Sequence, residues 1–118
     1  MAPEFHERRR FERVDLTLPV IGECRDRVGA IHPFQGQTQN VSFEGFCLRV
    51  ESTNGYKVGQ SVIFRTSLYG GNPLIRGHGR VCWVKTQPTP PWLFNVGVML
   101  TTMRHYKSWH EMVKERIH

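Results

Sequence analysis

"NVSFEGFCLRVES", residues 40 to 52, holds two patterns whose junction governs the reading of the whole chain. After Gly45, the residues Phe46, Leu48 and Val50 fall on one parity, the two-residue period of a strand with one buried face. Before it, Asn40 and Ser42 are two apart, so on an extended chain they share a face, and both offer hydrogen bonds. Gly45 stands where the chain must turn, or where another group must come close to the backbone. On its own, Asn-x-Ser-x-x-Gly is more often a tight turn between strands than a site.

Outward from this junction the chain keeps a strand-and-turn rhythm. "LTLPVIGEC" (16–24) alternates imperfectly, and Pro19 points to an edge or a bulge. "FQGQTQNVS" (34–42) is a polar strand with few core positions. Asn54-Gly55 signals a turn, "QSVIFRTSLY" (60–69) is rich in strand formers, and "GGNP" (70–73) is a second turn. "LIRGHGRVCWVK" (74–85) is a long strand with bends at Gly77 and Gly79. "TQPTPP" (86–91) is a loop and "WLFNVGVML" (92–100) the last strand. Six short strands with regular turn signals define a mainly β fold, an antiparallel β-barrel closed or nearly so. The period then changes. Tyr106, Trp109, Val113 and Ile117 step by three or four, a helical face over about 102–117, with Thr101 or Thr102 as N-cap. That helix is expected to close one end of the barrel.

The bulk properties narrow the function. A chain of 118 residues suits one domain. No apolar run reaches the length of a membrane span, and no apolar stretch follows the charges of "MAPEFHERRR", so no secretory signal is expected. Cys24, Cys47 and Cys82 are odd in number and far apart, which suits free thiols in a reducing cytoplasm. The formal net charge of +6 is spread along the chain rather than massed in one segment. That is weak support for a general nucleic-acid binder and fits a small anion held by a few aimed arginines. No enzyme is expected. The six histidines show no metal-ligand spacing with the cysteines, and there is no Gly-rich phosphate loop or nucleophile elbow.

Candidate arginines lie in "HERRRFERV" (6–14), where Arg8, Arg9, Arg10 and Arg13 crowd together. Each guanidinium can bond a phosphate, or the O6/N7 edge of guanine, through two parallel hydrogen bonds. Arg9 and Arg13 lie up to roughly 13 Å apart in an extended chain, and on one face in a helical turn. Both geometries let the pair embrace a small ligand from one side. Alone, such a cluster is ordinarily a solvated tail.

Taken together, "RRFER" (9–13) and "NVSFEG" (40–45) resemble the signature of the PilZ domain family, an Arg-x-x-x-Arg loop followed by [Asp/Asn]-x-Ser-x-x-Gly on a barrel strand. "GRVCWV" (79–84), "FNVGVML" (94–100) and the terminal helix resemble the family's later strands and ending, so the likeness spans nearly the whole chain. It implies a flexible N-terminal arm over 1–15 carrying the arginines, and a PilZ β-barrel over 16–118. It implies a cytoplasmic bacterial receptor for the second messenger cyclic di-GMP, with no other cofactor and no metal. Arg9 and Arg13 would take phosphate oxygens and guanine Hoogsteen edges. Asn40 and Ser42 would bond a guanine edge, and Gly45 would let the backbone come close. An arginine preceding the first motif arginine, here Arg8, goes with a stacked pair of ligands in this family. For Arg10 plain solvation is the expectation. Trp83 stands between two roles, stacking on guanine or packing in the barrel. The likeness further implies a stand-alone adaptor acting through a downstream protein partner on motility, exopolysaccharide production or virulence. Two other readings stand beside it: a small barrel that binds single-stranded RNA, and a PilZ-fold adaptor without ligand.

Residues 6–13 have little besides Phe5 and Phe11 to bury against a backbone entropy cost of about 1 to 2 kcal/mol per residue. The expectation is that cyclic di-GMP orders them. Backbone amide relaxation measured with and without ligand checks this: order parameters of Arg9 to Arg13 should rise on binding. Values equal to those of the barrel strands in the free protein would contradict the ordering.

Overall fold

The computed structural model describes residues 13–51, 56–67, 74–86 and 93–117. Seven strands and one helix follow in order: β1 Val14–Asp15, β2 Pro19–Arg25, β3 Ile31–Val41, β4 Gly45–Glu51, β5 Ser61–Ser67, β6 Leu74–Thr86, β7 Leu93–Met103 and α1 Tyr106–Ile117. All pairings are antiparallel. The strands run β3-β2-β5-β6-β7-β4, and β4 pairs back onto β3, so six strands close a barrel. The expected fold class holds. Closure leaves the long strands no open edge, which is how an antiparallel sheet avoids pairing with other chains.

The seventh strand is a two-residue extra. β1 pairs with the end of β3 (Val14↔Val41, Asp15↔Asn40), while β2 pairs with the beginning of β3 on the same side. β1 therefore continues the track of β2, with Leu16 to Leu18 between them. Thr38 fills that gap: its hydroxyl donates to Leu16 O (2.6 Å) and accepts from Leu18 N (2.8 Å). Pro19 thus marks neither an edge nor a bulge. β2 is flanked on both sides, and its proline sits at the first position of the strand, where the ladder has already been interrupted.

The expected core parity of Phe46, Leu48 and Val50 is observed, and all three are buried. They meet Val20, Phe64, Ile75 and Val96 from the other strands. Phe46 packs edge-on against Phe64, centroids 4.9 Å apart, and lies 6.0 Å from the ring of Trp109. α1 closes this end with Trp109, Met112 and Val113, each at most 2% exposed. Burying such side chains contributes about 1.5 to 3 kcal/mol each. The helix starts later than expected. Thr101 and Thr102 are not its cap, because β7 continues through them to Met103, held by β6. The chain turns instead at Arg104 and His105, where His105 has φ of 60° and its carbonyl takes the first helical N–H groups. Tyr106, placed by periodicity on the buried face, is exposed and reaches sideways to a turn. The expected N-terminal arm falls on 1–15, most of which lies outside the described residues.

Thr38→Val keeps the shape and removes the hydroxyl, leaving the Leu18 N–H without its partner. The expected loss is about 1 to 3 kcal/mol, read as a lower urea midpoint at unchanged slope. An unchanged midpoint would show that the gap between β1 and β2 needs no bridge.

Candidate functional site

A cleft of about 210 Å³ opens on the outer face between β3, β4, β6 and β7. Arg13, Asn40, Ser42, Gly45 and Trp83 all line it. These are five of the seven residues named from sequence. Arg8 and Arg9 lie outside the described residues, as does Arg10.

Two register shifts build the cleft. Along β3, Thr38 faces inward and is 1% exposed, so strict alternation would send Asn40 inward too. The pairing with β4 slips at this point: Thr38 lies opposite Leu48, and Asn40 opposite Cys47, with Gln39 as the extra residue. Parity flips, Asn40 turns outward and Val41 returns to the core. β6 repeats the device. Val81 is buried opposite Val98, Cys82 is the extra residue, and Trp83 lies opposite Gly97. Trp83 is thereby turned out to the cleft while Val84 packs against the core. Its indole lies across Gly97, where a Cβ would run into the ring. Trp83 is therefore a wall of the cleft resting on a strand glycine rather than a core residue.

The turn from β3 to β4 is pinned at every carbonyl. Ser42 N donates to Gly45 O (2.8 Å), and Gly45 N donates to the Ser42 hydroxyl (3.2 Å). Leu100 N donates to Glu44 O (2.7 Å). From α1, Trp109 Nε1 donates to Ser42 O (2.8 Å) and the Tyr106 hydroxyl to Phe43 O (3.0 Å). The Phe43 and His110 rings stack at 4.5 Å. Ser42 thus serves the turn with its own hydroxyl, as an Asn/Ser turn predicts. Gly45 is required by its neighbour: a Cβ there would collide with Val98 O on β7. The helix and the candidate site are one mechanical unit, since α1 holds two of the four carbonyls.

Sequence reasoning passed over Glu44, Cys82, Gly97 and Met99, which also line the cleft. Gly97 carried a readable signal, a glycine inside a strand pattern, which marks close approach by another group. Glu44 brings a carboxylate to a cleft that also holds Arg13. Cys47 lies beneath, its thiol donating to Gln39 Oε1 (3.4 Å), and Cys82 donates to Gly97 O (3.2 Å). Burial pushes both thiols up, against a smaller downward pull from Arg13. Burial also pushes Cys24 in the core up to about 11. All three stay protonated at neutral pH, which makes them poor nucleophiles. Among the described residues no group of His, Cys, Asp and Glu could hold a metal ion.

The comparisons with known proteins agree with this architecture. The PilZ domain family model matches residues 7–107. The chain belongs to the PilZ domain family. Among solved structures, it is similar to the Bacillus subtilis inhibitor of motility MotI/DgrA, with a TM-score of 0.71 and 13% identity over 92% of this chain. The chain spans about half of that protein, 51%. It is also similar to the PilZ domain of YcgR from Escherichia coli, described with c-di-GMP, with a TM-score of 0.60 and 11% identity. That match covers 93% of this chain and 88% of the other. No curated protein sequence is significantly similar. No helix among the described residues is long and apolar enough to cross a membrane.

Gly97→Ala should push the Trp83 indole off β7. Its Nε1–H resonance, assigned by comparison with Trp83→Phe, is expected to move while that of Trp109 stays. An unmoved Trp83 resonance would show that the ring does not rest on Gly97.

Proposed function

We propose that the protein is a receptor for cyclic di-GMP and that the cleft bearing Arg13, Asn40, Ser42, Gly45 and Trp83 is its binding site. One observation carries this reading. Residues from both halves of the signature, almost thirty positions apart in sequence, line a single cleft with an outward-turned indole. The ligand is a dianion with two guanine edges, and the residues match it. Arg9 and Arg13 take phosphate oxygens and the O6/N7 edge. Trp83 offers a face for stacking. Asn40 supplies an amide oxygen for guanine N–H groups, and Glu44, beside it, supplies a carboxylate that can accept two of them. Arg8 adds the positive charge that a stacked pair of ligands, with four phosphates, requires.

The rigid turn and the helix behind it carry the event onward. A ligand seated between the arginine loop and the β3–β4 turn changes the surface on that side, and a downstream protein reads the change. The fold is shared with an inhibitor of motility, which supports motility as the process regulated, and with the PilZ domain of YcgR, described with c-di-GMP. The reaction is binding alone, with no chemical step and no cofactor. A single-stranded RNA site would want a row of exposed aromatics. Among the described residues, Tyr106 is the only exposed large aromatic.

Isothermal titration of the full chain with cyclic di-GMP, with GMP and an RNA oligonucleotide as controls, tests the reading. Saturation at two ligands per chain is expected, with affinity falling as salt rises. Arg13→Ala should weaken binding by roughly ten- to a hundredfold, the loss of a charge-assisted bidentate contact. Arg10→Ala should change little, and Arg8→Leu should lower the stoichiometry toward one. Equal small losses for Arg13→Ala and Arg10→Ala, or wild-type saturation at one, would overturn the assigned roles.

A further inference from the structure

A second, larger concavity lies on the outer face of β2, β5 and β6, sharing no residue with the ligand cleft. Strand register sets its surface out as a grid. Ile21, Arg65 and Arg76 form one row across the three strands. Glu23, Ile63 and His78 form the next. A third register shift, in β7 at Thr101, turns Thr102 and then Arg104 toward the same concavity. Its volume is about 950 Å³.

Two features show that this face is built for a counterpart. Arg65 and Arg76 are directly opposite each other, an arrangement that costs stability through like-charge repulsion. Neither has an ion-pair partner among the described residues, and the groove holds one carboxylate, Glu23, against Arg65, Arg76 and Arg104. Between these charges lie apolar side chains, Ile63 and Ile21, the latter 41% exposed.

We infer that this groove docks an acidic segment of a protein partner, one in which carboxylates flank apolar side chains. Carboxylates form bidentate pairs with Arg65 and Arg76 and cancel their repulsion, while the apolar side chains cover Ile21 and Ile63. Single-stranded nucleic acid fits less well. The aromatics of the groove, Phe34 and Phe64, are buried and offer no face for base stacking. A flat bilayer does not follow a concave surface. This acidic partner thus meets a face separate from the ligand cleft and is distinct from the protein that reads the ligand-side surface, so one chain can hold it and the ligand together.

The test uses the full chain and a fluorescein-labelled peptide of alternating glutamate and leucine. A glutamate-to-lysine version of that peptide and an oligouridylate of similar length serve as controls. The acidic peptide alone should raise anisotropy and shift the amides of Ile63, Arg65, Arg76 and His78. Arg65→Glu should weaken it at least tenfold while raising the thermal midpoint, because the repulsion with Arg76 becomes an attraction. A merely structural role for Arg65 would not give that opposite pair of effects. Cyclic di-GMP titrated into the same variant should bind as to wild type, which separates failure of this inference from failure of the ligand site. Absent or unlocalised peptide binding, equal binding to Arg65→Glu, or tighter binding of oligouridylate would overturn it.

Discussion

A strand can present a residue to its opposite face only by breaking step, and the candidate site depends on two such breaks. The extra residue Gln39 in β3 turns Asn40 out of a core that still accepts Thr38 and Val41. The extra residue Cys82 in β6 turns Trp83 out while Val81 stays in. Without either slip the barrel would bury a polar amide or an indole beside well-packed valines, at a cost of several kcal/mol for an unpartnered polar group. With both, two side chains that alternation would hide become the walls of one cleft. Closure makes the slips local: each strand is held on both sides, so the extra residue bulges rather than shifting the whole ladder.

The second dependence runs through the helix. α1 serves the core through Trp109, Met112 and Val113, yet the indole N–H of Trp109 is spent on Ser42 O at the candidate site. Packing and site geometry are therefore supported by one residue. A barrel that lost the helix would lose two of the donors that hold the β3–β4 turn. All four carbonyls of the turn are held by donors within the protein.

Much of this was legible in the residues themselves. Phe46, Leu48 and Val50 declared a half-buried strand, Trp109 and Val113 a helical face, and the turn formers marked where strands end. The unreadable parts share a cause, which is partnership across long sequence distances. Pro19 looked like an edge or a bulge because the residue that bridges the gap before it, Thr38, is far along the chain. Thr101 and Thr102 looked like a helix cap because nothing local shows that β6 holds them in a strand. Gln39 and Cys82 carry no chemistry that marks a bulge. The candidate site was found by motif, and part of its lining was not: Met99 and Gly97 join it only through the β4–β7 pairing, and Glu44 sits at a position the motif leaves open.

The central claim is that the bulge-turned residues, the pinned turn and the arginine loop form a single cyclic di-GMP site. Amide and indole chemical shifts followed during a titration with cyclic di-GMP address it most directly. The account predicts saturable shifts confined to Arg8 to Arg13, Asn40 to Gly45, the Trp83 indole and Gly97, with the β2–β5–β6 face unmoved. Shifts centred on Arg65 and Arg76, or none at all at saturating ligand, would contradict it.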